Sequence, residues 1–263
     1  MKNILITGTG RSGTSLVTGI LNNSGYYSGN NLYPPRVESN PTGFFENHEI
    51  NGINETILAH YDGVSKPWYK KTVKRYSSPF NPKYGQRWLA LLSPSIKIES
   101  PSKEIEDRIK KLMHNKPFAY KDPRFVYTFD VWKNFLPSDT FVLVVFRDPF
   151  STIQSMHKEI NTAEYLTEFN TSYCQLEKIW LNNYSRLYKY SKIEKTNFLF
   201  FNYTNLILNP EESILRLEEF VGTKLNTTLL EKSLFHQTEQ KISLSRKTQR
   251  LFTILKESAI NQQ

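Results

Sequence analysis

Four apolar runs recur along the chain, and each is followed by a segment that suits a helix. The runs lie at 3–8, 118–122, 140–148 and 197–203 and are rich in β-branched and aromatic residues, a composition typical of buried strands. Strands that alternate with helices are usually parallel and covered on both faces. The pattern therefore predicts a three-layer α/β/α fold with a central parallel sheet, formed as one domain over residues 1–263.

Three segments have helical patterns. Residues 14–25 place apolar side chains on one face and end at a glycine. Residues 209–222 begin near Pro210, which suits the first turn of a helix, and end at Gly222. The segment 161–192 is rich in leucine and aromatic residues and contains no proline or glycine. It predicts one or two helices.

The pattern weakens at about residues 61–101, where prolines, aromatic rings and basic side chains mix. This stretch predicts a helical or irregular excursion from the sheet, and a lid is one use for it. Its rings and cations would suit a sugar or an anionic saccharide as a bound ligand. A packed aromatic lid with a solvated basic face explains the same residues equally well. The rings are Trp68, Tyr69, Tyr76 and Trp88.

Composition narrows the classes of function. The longest apolar run, FVLVVF at 141–146, is far shorter than the ~20 residues of a membrane helix. No apolar segment precedes the first strand, so we expect a cytoplasmic protein without a membrane span. The net charge of +9 predicts an anionic partner, but no nucleic-acid-binding pattern accompanies it, so we expect no nucleic acid. With one cysteine, Cys174, and five histidines without ligand spacing, we expect no disulfide and no metal.

The sequence GTGRSGTS at 8–15 follows the first strand and opens the first helix. It nearly matches the P-loop pattern G-x-x-x-x-G-K-[ST], but Thr14 stands where that pattern has lysine. The glycines let several backbone N–H groups point inward, and the helix N-terminus adds partial positive charge. The loop therefore predicts an anion site in a P-loop NTPase-like fold. A glycine turn that only lets strand and helix pack is the alternative.

The missing lysine changes the expected ligand. In a nucleotide hydrolase the lysine reaches the β and γ phosphates and the adjacent hydroxyl holds magnesium. Here Arg11 supplies the cation, and Thr14 and Ser15 supply neutral hydroxyls. Such a site suits an anion with less charge than a triphosphate.

A second anion site is predicted where the third strand ends. The sequence VVFRDPFSTIQS places Arg147 directly after the strand and Ser155 eight residues later, in a helix that begins at Pro149. Ligands of open α/β folds bind at this carboxyl edge of the sheet, and arginine can bind a phosphate through two parallel hydrogen bonds. Taken by itself, this motif is better explained by an Arg147–Asp148 pair that only caps the helix.

Together the two motifs resemble those of the sulfotransferases that use 3′-phosphoadenosine 5′-phosphosulfate (PAPS). The resemblance implies that the loop holds the 5′-phosphosulfate, while Arg147 and Ser155 hold the 3′-phosphate. It extends to YKDPR, which places Lys121 near the transferring group, and to FNYTNLILNPEESILRLEEFVG, which places Tyr203 on the adenine or 3′-phosphate side. The implied loop residues are Gly10, Arg11, Ser12, Gly13, Thr14 and Ser15.

Two places depart from the family pattern. Thr204 and Asn205 stand where acidic residues are common, which leaves the fold prediction intact. The C-terminal sequence SLSRKTQR offers Arg246 and Lys247, and by resemblance to the basic C-terminal loop of many relatives Arg246 would bind the 3′-phosphate. The glycine-rich pattern of that loop is missing, so a basic stretch on a solvated helix is the favoured alternative.

Sulfuryl transfer also needs a base that takes a proton from the acceptor. The resemblance implies a glutamate in the segment after the first helix. We favour Glu46, because NPTGFFE resembles the corresponding segment of bacterial members and because its two phenylalanines are expected to raise the pKa of the carboxyl. A glutamate that starts a solvated helix explains this residue equally well. The other candidates are Glu38, Glu49, His48 and, in reserve, Asp122.

The resemblance therefore implies a PAPS-dependent sulfotransferase that releases 3′-phosphoadenosine 5′-phosphate (PAP). It would move the sulfuryl group in line to a hydroxyl or amine of a small-molecule or saccharide acceptor, with Glu46 as base and Arg11 and Lys121 stabilising the oxygens that gain charge. No metal is expected, because a sulfuryl group carries less charge than a terminal phosphoryl group. Two alternatives stay open: an ATP-dependent P-loop kinase, which Thr14 disfavours, and a non-catalytic protein that binds PAP or a polyanion.

Overall fold

The computed structural model describes residues 1–36, 40–61, 82–169, 171–194, 196–230 and 243–261. Within these residues four parallel strands form a sheet. Each strand lies within one of the four apolar runs, so the predicted parallel sheet is confirmed. The strands are β1 (Asn3–Thr7), β2 (Ala119–Lys121), β3 (Thr140–Phe146) and β4 (Asn197–Asn202).

Helices of the described residues surround this sheet. The predicted helices at 14–25 and 209–222 are present as the first and the eighth of them. In chain order they are α1 (Thr14–Asn23), α2 (His48–Ala59), α3 (Lys103–Leu112), α4 (Phe125–Trp132), α5 (Pro149–Thr162), α6 (Tyr173–Ile193), α7 (Tyr203–Leu208), α8 (Pro210–Val221) and α9 (Arg246–Asn261).

The alternation of side chains along the strands assigns the helices to two faces. On β1, Ile4 and Ile6 belong to one apolar cluster and Leu5 belongs to another, as expected for a strand buried on both faces. Helices α1, α7 and α8 contribute to the cluster of Ile4 and Ile6, and α2, α3, α4, α6 and α9 contribute to the cluster of Leu5. The predicted three-layer α/β/α architecture is therefore confirmed.

The strand order creates the crevice in which a ligand can bind. The order is β2-β1-β3-β4, so the chain passes from β1 to β2 on one side and then returns past β1 to β3 on the other. The loops that follow β1 and β3 consequently lie side by side at the carboxyl edge of the sheet. In open α/β folds, ligands bind at this switch point.

The helical segment predicted at 161–192 is interrupted. Helix α5 extends into it, a 3₁₀ turn follows at Glu164–Leu166, and α6 begins after Ser172. The Ser172 hydroxyl accepts a hydrogen bond from the backbone N–H of Gln175, whose side chain accepts one from the N–H of Ser172. This capping box, Ser-x-x-Gln, is a start signal that apolar spacing alone does not reveal.

The excursion predicted at about 61–101 is irregular where it is described. Residues 82–101 contain one 3₁₀ turn, Arg87–Leu89, and no helix or strand. Trp68, Tyr69 and Tyr76 lie outside the described residues. Across the described ranges, no helix is long and apolar enough to cross a membrane. The same ranges contain no group of acidic, histidine and cysteine side chains that could hold a metal ion.

Candidate active site

A cavity of about 880 Å³ opens at the carboxyl edge of the sheet. It is lined by the loop after β1, the residues that follow β2 and β3, helix α5 and the turn at 84–88. Its volume lies within the range of about 300–1,000 Å³ typical of ligand sites. All but two of the predicted site residues line it: Gly10, Arg11, Gly13, Thr14, Ser15, Glu46, Lys121, Arg147, Ser155 and Tyr203.

The loop after β1 is shaped by contacts with two other segments. Gly13 has a φ of +88°, and a Cβ there would lie 2.0 Å from Cδ2 of Tyr203, so only glycine suits both the torsion and the contact. Arg11 adopts a φ of +71°, and its Nε donates to Oγ of Ser155 at 3.1 Å. Its Nη1 lies 3.5 Å from a carboxylate oxygen of Glu159. Arg11 thereby connects the two predicted anion sites.

Ser12 is the first predicted site residue that does not line the cavity. Its hydroxyl is buried and lies 2.7 Å from the hydroxyl of Tyr184, and its backbone N–H donates to the carbonyl of Thr9 at 3.2 Å. The side chain and the N–H of Ser12 thus hold the loop in shape. The motif alone could not distinguish a hydroxyl directed at a ligand from one directed into the core.

Arg147 and Asp148 are neighbours with different roles. A carboxylate oxygen of Asp148 accepts from the backbone N–H of Ser151 at 2.9 Å and caps α5. Arg147 instead lines the cavity, with its guanidinium carbon 5.4 Å from the ring centre of Tyr203. Burial lowers the pKa of Arg147, because removal from water disfavours the charged form. An anion bound beside Arg147 would replace the contacts with water that the guanidinium loses on burial.

At the other end of the cavity, Lys121 and Glu46 form a close ion pair. Nζ of Lys121 lies 2.5 Å from Oε1 of Glu46, and the two side chains are 3% and 17% exposed. Asn51, on α2, donates through Nδ2 to Oε2 of Glu46 at 3.0 Å and to Oδ2 of Asp122 at 3.1 Å. Both carboxylates are thus held by the same amide.

The prediction that Phe44 and Phe45 raise the pKa of Glu46 is wrong in direction. Burial does act to raise this pKa, but the positive charges of Lys121 and Arg124 outweigh it, and the net effect is a lowered pKa. Phe45 also packs toward α1, where its ring would meet a Cβ placed on Gly19. The cations beside Glu46, and not the two phenylalanines, therefore decide the direction of its pKa shift.

Asp122 has the opposite shift. Burial raises its pKa from 3.8 to about 6, with Glu46 acting in the same direction and Arg124 against it. Its Oδ1 accepts from the backbone N–H of Arg124 at 2.7 Å and from Nη1 at 3.1 Å. This is the arrangement expected of a carboxylate that orients Arg124.

The remaining base candidates lie away from the cavity or outside the described residues. Glu49 is on the surface and accepts from Nε of Arg108 at 2.8 Å. The ring of His48 stacks on Tyr33 with 3.7 Å between the centroids and does not line the cavity. Glu38 lies outside the described residues. Of the five candidates, Glu46 is the one that lines the cavity among those described.

A family model described as the sulfotransferase family matches residues 3–227 of the chain. The chain belongs to the sulfotransferase family. Membership confirms the resemblance of this chain to the sulfotransferases and identifies an enzyme that transfers a sulfuryl group. No curated protein matches the chain.

Two solved structures share the fold of this sulfotransferase. The sulfotransferase domain from the curacin biosynthetic pathway is 15% identical, with a TM-score of 0.51 and coverage of 97% of this chain and 98% of that one. The sulfotransferase domain from the Synechococcus PCC 7002 olefin synthase is 14% identical, with a TM-score of 0.54 and coverage of 97% and 96%. At these identities the likeness shows the fold.

The sulfotransferase also contains a buried ion cluster that its sequence did not reveal. Glu55 is fully buried, and its carboxylate accepts from Nη1 of Arg87 at 2.7 Å and from Nε of Arg124. Nη2 of Arg124 donates to the carbonyl of Gly85 at 3.2 Å. The cluster fastens the turn at 84–88 to α2 and to the end of β2. Glu55 gives no local signal, because it lies within an ordinary amphipathic helix.

Arg246 is the second predicted site residue that does not line the cavity. It is exposed at the first position of α9, as is the adjacent Lys247. The basic segment thus lies on a solvated helix, as the favoured alternative had it. The structure does not bring Arg246 together with Arg147.

Proposed function

We propose that this sulfotransferase uses PAPS as donor, releases PAP and passes the sulfuryl group to a hydroxyl or amine of a small-molecule or saccharide acceptor. The observation that carries the proposal is that the residues of the two predicted anion sites line one cavity and are connected by the hydrogen bond from Arg11 to Ser155. A nucleotide charged only at its 5′ end has no use for the second site. PAPS carries negative charge at both its 5′ and 3′ positions.

The residues present suit such a donor. The glycine loop and the N-terminus of α1 offer N–H groups and partial positive charge to the 5′ end. Arg147 and Ser155 offer charged and neutral donors to the 3′-phosphate, and the ring of Tyr203 lies beside them. When bound, PAPS supplies a sulfuryl group already activated by its bond to a phosphate.

Glu46 and Lys121 are the groups proposed for the transfer itself. At neutral pH Glu46 is a carboxylate, the form that can take the proton of the acceptor, and its lowered pKa makes it a weaker base than a free glutamate. The Lys121 ammonium group would stabilise sulfuryl oxygens as they gain charge. Asn51 and Lys121 both hold Glu46 in place, so the base is positioned before any substrate binds.

Besides the residues proposed for the donor, the cavity has several aromatic rings. Tyr33, Phe44, Trp88 and Tyr165 line it, and the guanidinium of Arg36 lies 4.9 Å from the ring centre of Tyr165. Such rings supply broad apolar faces with polar edges. They support a ring-shaped acceptor, such as a saccharide, and Arg36 would favour one that is anionic.

The test begins with ligand binding. A ligand at about 100 times its Kd stabilises the folded state by about 2.7 kcal/mol, which a melting-temperature measurement detects. We expect PAP and PAPS to raise the melting temperature, and ATP and GTP to have little effect. Sulfate transfer from radiolabelled PAPS to a panel of sugar, phenol and amine acceptors should then proceed in the presence of EDTA.

Three results would contradict the proposal in different ways. Lack of stabilisation by PAP would overturn the choice of donor. Stabilisation by ATP with EDTA-sensitive phosphoryl transfer would instead establish a kinase. Binding of PAP without turnover of any acceptor, with Glu46→Gln leaving every property unchanged, would establish a non-catalytic binding protein.

A further inference from the structure

The side chain of Tyr184, on α6, lies beneath the loop that follows β1. It is fully buried, and its hydroxyl lies 2.7 Å from Oγ of Ser12, 3.3 Å from the backbone nitrogen of Thr9 and 2.9 Å from the carbonyl oxygen of Val145. A phenol has one hydrogen to donate and can accept two hydrogen bonds. Donation to Val145 and acceptance from Thr9 and Ser12 therefore use its full capacity.

These three partners belong to the two segments that carry the anion sites. Thr9 and Ser12 are part of the loop, while Val145 is in β3, two residues before Arg147. The loop also packs directly on this strand: a Cβ on Gly8 would lie 2.2 Å from the carbonyl oxygen of Val145. Tyr184 thus ties the loop to β3 beside this close contact.

The ring of Tyr184 is itself held on both sides. It packs against Trp180, with 4.7 Å between the centroids, and edge-on against Phe146 at 6.4 Å. Burial raises the pKa of Tyr184, so the hydroxyl keeps its hydrogen at neutral pH. The contact is therefore a fixed part of the fold, on the buried side of the loop. On the cavity side, Arg11 of the loop donates to Ser155 of α5, the helix that follows β3.

We propose that Tyr184 is a positioning residue that sets the distance between the 5′-phosphosulfate loop and the Arg147–Ser155 site, an inference that rests on the proposed function. A ligand that uses both sites gains from a distance that is set before binding, because the protein then needs no ordering when the ligand arrives. A ligand that uses one site gains much less. Tyr184 therefore favours ligands phosphorylated at both the 5′ and 3′ positions over those phosphorylated at one.

The experiment compares PAP with adenosine 5′-monophosphate (AMP), which lacks the 3′-phosphate. Tyr184→Phe keeps the ring and removes the hydroxyl with its three hydrogen bonds. By calorimetry, we expect the affinity for PAP to fall about tenfold and that for AMP about twofold, so the preference for PAP falls about fivefold. A role limited to stability would lower the melting temperature and leave this preference unchanged.

Two further variants make the result interpretable. Tyr127→Phe is the matched control: this tyrosine is equally buried, and its hydroxyl contacts the backbone N–H and carbonyl of Leu92 at 3.4 and 3.3 Å, away from the loop. It should lose some stability and keep the wild-type preference for PAP. Ser12→Ala removes one of the three partners and keeps Tyr184, so it should reduce the preference by about twofold, and it decides the question if Tyr184→Phe does not fold.

The possible outcomes separate the two proposals. An unchanged preference for PAP in Ser12→Ala and in any folded Tyr184→Phe protein overturns the positioning role of Tyr184 and leaves the donor proposal intact. A wild-type enzyme that binds PAP no better than AMP overturns the proposed donor itself. A loss of preference in Tyr184→Phe, with none in Tyr127→Phe, supports both.

Discussion

The two ends of the cavity satisfy their charges in different ways. In the proposed donor region, which comprises the loop 8–13 with Arg147 and Ser155, Arg11 pairs with Glu159, but both arginines also line the cavity, where an anionic ligand would meet them. In the proposed transfer centre, three carboxylates are paired with three cations, Glu46 with Lys121 and the other two with Arg87 and Arg124, so the group is neutral when all are ionised. Its members are Glu46, Glu55, Asp122, Arg87, Lys121 and Arg124.

Because of this difference, substitutions in the two regions should change different properties, ligand affinity in one and protein stability in the other. A buried ion cluster stabilises little overall, but removal of one partner leaves a charge without compensation and costs much. A cation that faces a cavity has little effect on the fold and a large effect on the ligand that it meets. Substitutions should therefore affect stability in the transfer centre, ligand affinity in the donor region, and catalysis only where the acceptor meets the base.

The largest effect is expected for catalysis when the base is removed. Glu46→Gln keeps the shape and the contact with Asn51 but cannot take a proton, so the rate of sulfate transfer should fall by about 100- to 10,000-fold. Steady-state kinetics with radiolabelled PAPS measures this rate. The affinity of the variant for PAP should stay near that of the wild type. The surface variant Glu49→Gln is the control. Retained activity in Glu46→Gln would show that another group is the base.

The next effect is on the fold. Arg124→Ala removes the common partner of Asp122 and Glu55, both fully buried, so the free energy of unfolding should fall by about 3–5 kcal/mol. Urea denaturation measures it. Arg108→Ala breaks the surface pair with Glu49 and should cost about 0–1 kcal/mol. Equal costs for the two arginines would refute the distinction drawn for the transfer centre.

A smaller effect is expected for donor binding. Arg147→Ala should weaken PAP by about 10- to 150-fold, since a hydrogen bond to a charged group contributes about 1.5–3 kcal/mol, with little change in the stability of the ligand-free protein. Calorimetry gives the affinity. Arg246→Ala, at the exposed start of α9, should bind PAP as the wild type does. If Arg246→Ala lowers the affinity for PAP as much as Arg147→Ala does, the C-terminal segment is part of the donor region.

The last effect is a dependence of stability on pH. The pKa of Asp122 is raised from 3.8 to about 6, so the folded protein holds a proton that the unfolded chain has already lost between these values. The contribution of this group to the free energy of unfolding therefore falls as the pH rises from about 4 to about 6. Glu46, whose pKa is lowered, contributes the opposite slope at more acidic pH.

Asp122→Asn tests this slope. Urea midpoints measured from about pH 4 to about pH 7 should change less in the variant than in the wild type. An unchanged slope would assign the titration to another group.

Much of the fold and half of the site follow from local signals. The four strands, the loop at 8–15 and the Arg147–Ser155 motif are set by apolar periodicity, glycine torsions and residues a few positions apart. The segment 161–192 predicts one or two helices, and the position of the break before α6 is set by the Ser172 capping box, which apolar spacing alone does not locate. Ser12 and Arg246 were placed in the site by motif alone, which does not say where a side chain points.

Sequence by itself predicted the four strands, several of the helices and the two segments after β1 and β3 that line the cavity, because torsional preference and side-chain alternation act over a few residues. Tertiary structure decided the strand order that places those sites side by side, the burial of Glu55 between two arginines, and the contact of Tyr184 with Ser12 across 172 residues of chain. It also decided the direction of the pKa shift of Glu46. Electrostatic energies depend on the distances between charges and on burial, and those distances exist only once the chain has folded.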